Sequence, residues 1–178
     1  NLGSPKTATY FDIMRFLREF LSDNRVIKLP KALWLPILYG FILPFRSRRL
    51  VKSYQEILID GKIPLHHFSE SLANKMDNLT DEKTHVRLAL RYGSPSITEA
   101  IASLSAYPIK KLTILPLFAQ YSASTSASTF DALAKWARKQ NFLWDIKFIH
   151  SYHDHPAYLK AICDSIKERW QENGQRHL

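Results

Sequence analysis

The residues best suited to chemistry lie where apolar runs stop abruptly in polar loops. Gln120-Tyr121-Ser122-Ala123-Ser124-Thr125 follows the apolar run 111–118 and precedes a helical pattern beginning near Ser124. Strand, polar loop and helix start together build a binding site in α/β proteins. The loop lies at the carboxyl end of the strand, and the free N–H groups of the helix face whatever sits there. Tyr121, Ser122, Ser124 and Thr125 add hydroxyls to that position. Plain N-capping by Ser124 is the structural alternative and is compatible with binding. The same arrangement recurs at Arg91-Tyr92-Gly93-Ser94-Pro95-Ser96 and at Ser151-Tyr152-His153-Asp154-His155-Pro156. Three such loops on one sheet edge predict a single ligand cleft.

Arg91 at a strand end can grip an acidic group, and Tyr92 can stack on a planar one or hydrogen-bond it. The alternative is an edge arginine in solvent beside a tyrosine that caps the core. His153-Asp154-His155 resembles a metal site, but histidines so close in one loop rarely point at the same ion. Asp154 or His155 reads better as a helix cap ahead of Pro156. His66 and His67 are adjacent on a helical pattern, cannot share a face, and read as surface or cleft-lining residues. Leu33-Trp34-Leu35-Pro36-Ile37-Leu38-Tyr39 is too apolar for a solvent loop. It either packs in the core or forms a greasy lip over a flat ligand, and composition favours the core.

The elements that position these residues follow from periodicity. Residues 9–21 form an amphipathic helix, with Phe11, Met14, Phe16, Leu17, Phe20 and Leu21 near one face, and Ser22-Asp23-Asn24 ends it. Pro30, Pro36 and Pro44 divide the next stretch into short helices and turns. Residues 50–58 continue as a helix, and residues 66–79 form another. Residues 86–92 alternate as a strand, and Ser96-Ile97-Thr98-Glu99 is a capping box opening a helix to Ala106. Residues 111–118 read as a central strand, apolar throughout its interior. A helix spans 124–139, a strand spans 144–150, and Pro156 starts a final helix reaching about Trp170. The βαβαβα order predicts an α/β fold with a doubly wound, mostly parallel sheet. The start, Asn1-Leu2-Gly3-Ser4-Pro5, reads as a strand end entering a turn. The end, Gly174-Gln175-Arg176-His177-Leu178, reads as a loop entering another strand. Residues 1–178 are thus expected to be one domain cut at both ends.

The chain has 178 residues, 25 Lys and Arg against 16 Asp and Glu, and a formal charge of +9. That balance suits an anionic partner: a carboxylate-bearing ligand, an acidic membrane surface or nucleic acid. No RNA-binding signature or arginine-rich arm is present, so nucleic acid is not expected. The single cysteine, Cys163, excludes an internal disulfide and a cysteine-only metal site within this chain. No secretory h-region is visible, and residues 33–45 are too few to span a bilayer, so a cytoplasmic setting is expected. Walker, G-x-G-x-x-G, H-E-x-x-H and nucleophile-elbow motifs are all absent, which removes most nucleotide enzymes and hydrolases.

With these motifs placed, the chain resembles the ferrochelatases, in the bacterial form. The resemblance rests on Asn1-Leu2-Gly3-Ser4-Pro5, Phe16-Leu17-Arg18-Glu19-Phe20-Leu21-Ser22-Asp23, Arg91-Tyr92-Gly93-Ser94-Pro95, Gln120 to Thr125 and Tyr152-His153-Asp154-His155-Pro156, in that order. It covers nearly the whole chain but only the amino-terminal half of the family's. It implies one lobe of a two-lobed, Rossmann-like chelatase that inserts ferrous iron into protoporphyrin IX, a lyase of haem biosynthesis. Iron and porphyrin are then substrates, with no permanently bound cofactor.

By resemblance, Arg46 and Tyr54 match porphyrin-contacting positions, and Leu2 matches the apolar residue on the side where metal enters. Arg91 and Tyr92 match the pair beneath the ring, and Tyr121 and Ser122 fall in the matching loop. Leu33 to Tyr39 match the lip that also meets the bilayer in membrane-associated members. Ile63-Pro64-Leu65 replaces the family's Ser-Pro-Leu turn, and Ala119 stands where the family has proline. Ala123 stands where some members place an iron–sulfur ligand, so that ligand is missing. The family's metal-handling histidine and glutamate lie beyond Leu178, so no catalytic residue is assigned here, and the isolated chain is expected to be inactive. A cobalt chelatase of the same fold and a tetrapyrrole-binding half-domain without turnover are the competing readings.

Overall fold

The computed structural model describes residues 1–142 and 144–174. Helix α1 (Tyr10–Leu21) starts at Thr9, whose hydroxyl accepts from the Asp12 N–H. It buries Ile13, Phe16, Leu17 and Leu21 along one stripe; Phe11, expected on that face, is instead exposed, and Ile13, which the expected face omitted, is fully buried because it stands three and four residues before Phe16 and Leu17. Helix α2 (Lys31–Ile37) and helix α3 (Leu43–Glu56) are joined by a π-helical turn, Leu38–Ile42. The proline-rich stretch is therefore one unbroken helical run and not separate pieces. The π turn stands immediately before Pro44, which has no N–H to give and whose ring crowds the carbonyl four residues back. Leu43 N–H instead reaches the Leu38 carbonyl, widening the helix at that point. The Trp34 indole N–H donates to the Leu21 carbonyl at 2.7 Å and satisfies a free group at the end of α1. α1, the π turn and α3 enclose one apolar cluster of Ile13, Phe16, Leu17, Leu21, Leu38, Leu43 and Tyr92.

Helix α4 (Pro64–Leu79) has proline in its first turn. It buries His66, which sequence reading left at the surface or cleft; its Nε2 has no hydrogen-bond partner among the described residues. Helix α5 (Ile97–Leu104) opens with the expected capping box. Ser96 Oγ accepts from Glu99 N–H at 3.2 Å, and Glu99 Oε2 accepts from Ser96 N–H at 2.6 Å. Ser96→Ala should lower stability by about 1 kcal/mol, read as a shift in the urea midpoint with unchanged slope. An unchanged midpoint would show that the cap contributes nothing.

Strands β1 (Lys111–Ile114) and β2 (Asp145–Phe148) pair in parallel, with helix α6 (Ser128–Ala137) between them. Leu112 and Ile114 lie across from Ile146 and Phe148 and pack toward Ile97, Ile101, Leu104 and Leu133. Lys111, Thr113, Asp145 and Lys147 are exposed on the opposite face. β1 is thus shorter than expected and alternates, as a half-buried strand does. The α/β class with a parallel sheet stands.

Residues 86–92, expected as a strand, form none against β1, and only Leu90 makes an isolated bridge, to Ser96. Val86 N–H is taken by Asp77 Oδ1 and Leu90 N–H by the Pro95 carbonyl. Their partner is instead the start of the chain. The Asn1 ammonium donates to Ala89 O, Arg91 N–H to Asn1 O and Tyr92 N–H to Leu2 O, all at 2.9 Å. The first two alternate as in a parallel ladder. Helix α7 (Pro156–Asn173) closes the described fold, with His155 Nδ1 accepting from Ala157 N–H as its cap. The expected terminal loop falls at 175–178, outside the described residues. Among the described residues no helix is long and apolar enough to cross a membrane.

Candidate functional site

Two glycines let the loops at this edge cross. Gly3 has φ +108°, and a Cβ built there would lie 1.8 Å from the Tyr92 carbonyl oxygen. Gly93 has φ +90°, and its Cβ would lie 2.9 Å from the Ser4 oxygen. Only glycine permits this approach. It brings Leu2 and Tyr92 together and sets Arg91 at the edge.

Asp23, just past the end of α1, is the centre of the edge. Its Oδ2 accepts from Arg91 Nη2 at 2.6 Å, from the Tyr92 hydroxyl at 2.8 Å and from Ser128 Oγ at 2.6 Å. Its Oδ1 accepts from the Arg25 backbone N–H at 2.7 Å. Arg91 Nε donates to the Ser128 carbonyl at 2.9 Å and to Ser128 Oγ at 2.7 Å. The guanidinium carbon stands 4.4 Å from the centre of the Tyr92 ring. Arg25 in turn forks onto Asp131 of α6 at 2.7 and 3.1 Å.

Burial opposes ionisation of Asp23. The hydrogen bonds from Ser128, the Arg25 N–H and Tyr92, with the charge of Arg91, outweigh it and hold the carboxyl below its ordinary range. Burial, reinforced by the adjacent Asp23, pushes the Tyr92 phenol up to about 12.

Tyr92 is fully buried, with its hydroxyl committed to Asp23 and Ser128. Arg91 is mostly buried in its pair with Asp23. Leu2 and Tyr54 pack against the same apolar cluster as Tyr92. Burial raises the Tyr54 phenol, opposed by the charge of Arg46 on the same helix. Arg46 is exposed.

Tyr121 is half exposed and stacks on His150, with ring centres 4.4 Å apart. Ser122 Oγ lies 2.5 Å from Thr125 Oγ1, at the start of a second π turn, Ala123–Ala127, that leads into α6. The helix expected from Ser124 therefore begins as a π turn and becomes α-helical only at Ser128. Tyr152 N–H donates to the Ala119 carbonyl, joining the loops after β1 and β2.

Composition placed residues 33–39 in the core, and the structure corrects this for one face. Leu38 is buried, but Leu33, Ile37 and Tyr39 are exposed, and Phe41 and Phe45 continue the exposed stripe. A helix shows only one face to its core, and this run is apolar all round. A cavity of about 340 Å³ lies between α1 and the 91–96 loop, lined by Lys6, Arg15, Glu19, Arg91 and Glu99 among others. Of the residues given site roles from sequence, only Arg91 reaches it.

Sequence reading missed Asp23, Ser128, Arg25 and Asp131. One signal was present: Asp23 follows the carboxyl end of a helix, where the macrodipole disfavours an acid.

The arrangement offers an edge of ion-paired arginine donors, a half-exposed aromatic and, elsewhere on the domain, an exposed apolar stripe ending in the exposed Arg46, which has no ion pair among the described residues. Those features suit a flat, anionic, largely apolar ligand. Comparison with known proteins agrees on the lineage. The sequence model of the family described as Ferrochelatase matches residues 1–178. The chain is similar to the ferrochelatase of Vibrio cholerae serotype O1 (strain ATCC 39315 / El Tor Inaba N16961), 39% identical over 178 residues. That match takes in 100% of this chain and 55% of the relative. The ferrochelatase of Edwardsiella ictaluri (strain 93-146) is 40% identical over 98% of this chain and 54% of its own. That of Sodalis glossinidius (strain morsitans) is 43% identical over 98% of this chain and 52% of its own. The chain thus spans about half the length of the curated relatives it matches. With the family model matched from the first residue to the last, the chain belongs to the ferrochelatase family.

Proposed function

We propose that the protein carrying this chain inserts ferrous iron into a porphyrin, and that these residues form much of the wall against which the ring lies. The observation that carries the reading is the match to the ferrochelatase family along all 178 residues. The geometry supports it for Leu2 and Tyr54, partly buried on one cluster, and for Arg91 and Tyr121 at the adjoining loops, whereas Tyr92 has no exposed surface and can only back the wall from within. Insertion exchanges two pyrrole N–H protons for one ferrous ion, and both protons need acceptors. A rigid apolar wall holds the ring in a fixed pose, which is the positioning part of the task. Arg46 is an exposed cation available to a propionate, and Ser122 lies in the loop beside Tyr121. By resemblance, the residues that accept the protons and deliver iron lie beyond Leu178. Ala123 supplies no sulfur where some members bind a cluster.

The test is zinc insertion into protoporphyrin IX, with binding followed by fluorescence quenching. The natural full-length protein should bind and turn over, whereas the 178-residue chain should not turn over. Cobalt insertion in preference to iron, or binding without turnover by the full-length protein, would displace the reading. Arg46→Ala in the full-length protein should weaken porphyrin binding by roughly 1.5–3 kcal/mol, the worth of one charge-assisted bond. Unchanged affinity would remove Arg46 from the site.

The exposed Leu33, Ile37, Tyr39, Phe41 and Phe45, followed by exposed Arg46, Arg48, Arg49 and Lys52, support a peripheral contact with an anionic bilayer. Co-sedimentation with vesicles containing phosphatidylserine should be lost in a Leu33→Asp/Phe41→Asp variant. Equal binding by both proteins would count against the contact.

A further inference from the structure

Arg91 cannot hold its own position. Its Nε is met by two acceptors of Ser128, and its Nη2 by Asp23 alone. Ser128 Oγ is itself oriented by Asp23: it donates to Oδ2 at 2.6 Å and so turns a lone pair toward Nε. The Tyr92 hydroxyl, on a residue with no exposed surface, points at the same oxygen. The carboxylate cannot rotate freely, because the Arg25 N–H holds its other oxygen. The turn that carries it is fastened again to α6 by the fork of Arg25 on Asp131. Asp131 is occupied by that fork, and Asp23 is the carboxylate that pairs with Arg91. Among the described residues, Nη1 of Arg91 has no protein acceptor.

We propose that Asp23 is the positioning residue of the cleft edge: it fixes Arg91 and Tyr92 in one arrangement and leaves the two Nη1 N–H groups of the guanidinium open. This rests on the porphyrin-chelatase reading above. Asp23 touches no substrate; it acts through Arg91. It also cancels the arginine's charge at contact distance, so the edge does not present a lone cation to an approaching divalent metal.

The test is a double-mutant cycle on the natural full-length protein, read as kcat/KM for zinc insertion into protoporphyrin IX. Circular dichroism and melting establish that each variant is folded. Asp23→Asn should lower kcat/KM at least tenfold, with part of the loss appearing as a raised KM for zinc. In an Arg91→Ala background the same change should add less than twofold. A residue that only holds the fold together would give independent, multiplying losses. If Asp23→Asn does not fold, Ser128→Ala with and without Arg91→Ala replaces it, with an expected loss of about threefold alone and almost none in the double variant. Multiplying losses in an active wild type would overturn this proposal and leave the functional reading standing. A wild type that neither binds protoporphyrin nor inserts zinc would overturn that reading, and this proposal with it.

Discussion

Gly3→Ala should destabilise the domain by about 3 kcal/mol or more, enough to lose most soluble, folded protein. The new Cβ would sit 1.8 Å from the Tyr92 carbonyl oxygen and 2.9 Å from its carbon, well inside any contact distance. Neither side can yield cheaply. Tyr92 N–H is bonded to the Leu2 carbonyl and Arg91 N–H to Asn1, each at 2.9 Å, so separation breaks the ladder. The backbone at φ +108° is also strained for any residue with a Cβ. Gly40→Ala is the control: it lies in the helical run, and a methyl group added there would meet nothing within 4 Å. It should gain roughly 0.5–1 kcal/mol from reduced freedom of the unfolded chain. Urea denaturation of both variants reads the contrast. Gly3→Ala with a wild-type midpoint would mean that the two loops do not cross as described.

Asp23→Ala should cost about 3–5 kcal/mol, because three buried or half-buried donors lose one acceptor together. Tyr92 and Ser128 have no exposed surface through which water could replace it. The same group sets an acid limit. Its carboxyl is held below the ordinary value of about 4, so folding favours the ionised form. The stability it contributes is complete above that ordinary value and is lost as pH falls through the lowered folded one. At the alkaline end Tyr92 has the opposite sign: its contribution is complete below about 10 and is lost as pH rises through about 12. Urea midpoints from pH 7 to pH 2 should fall less steeply for Asp23→Asn than for wild type. Parallel acid slopes would show that the charge of Asp23 adds nothing to folding.

Much of the fold was legible because it depends on short-range chemistry. Phe16, Leu17 and Leu21 of the α1 stripe, the Ser96–Glu99 box and the His155–Pro156 helix start involve residues within a few positions of one another. The proline-rich segment departs from its sequence pattern because Pro44 does not break the helix. A π turn accommodates it once α1 packs against the run, and no local pattern announces that. Residues 86–92 alternate like a strand, yet Asp77 and Pro95 take two of their donors and Asn1–Leu2 supplies the pairing.

The candidate site divides in the same way. Sequence alone determined which loops carry clustered polar side chains and which family the chain resembles; matching positions for Leu2, Arg46, Tyr54, Arg91, Tyr92, Tyr121 and Ser122 are what that resemblance implies. It determined these because motifs and periodicity are properties of neighbouring residues. Only the tertiary structure decided which carboxylate Arg91 meets, that Tyr92 is buried beside it, and which face of residues 33–45 stays open. Asp23 lies 68 positions from Arg91, 69 from Tyr92 and 105 from Ser128. Contacts at that separation arise when buried donors must find an acceptor in the packed chain, and that requirement acts in space, where sequence order carries no distance.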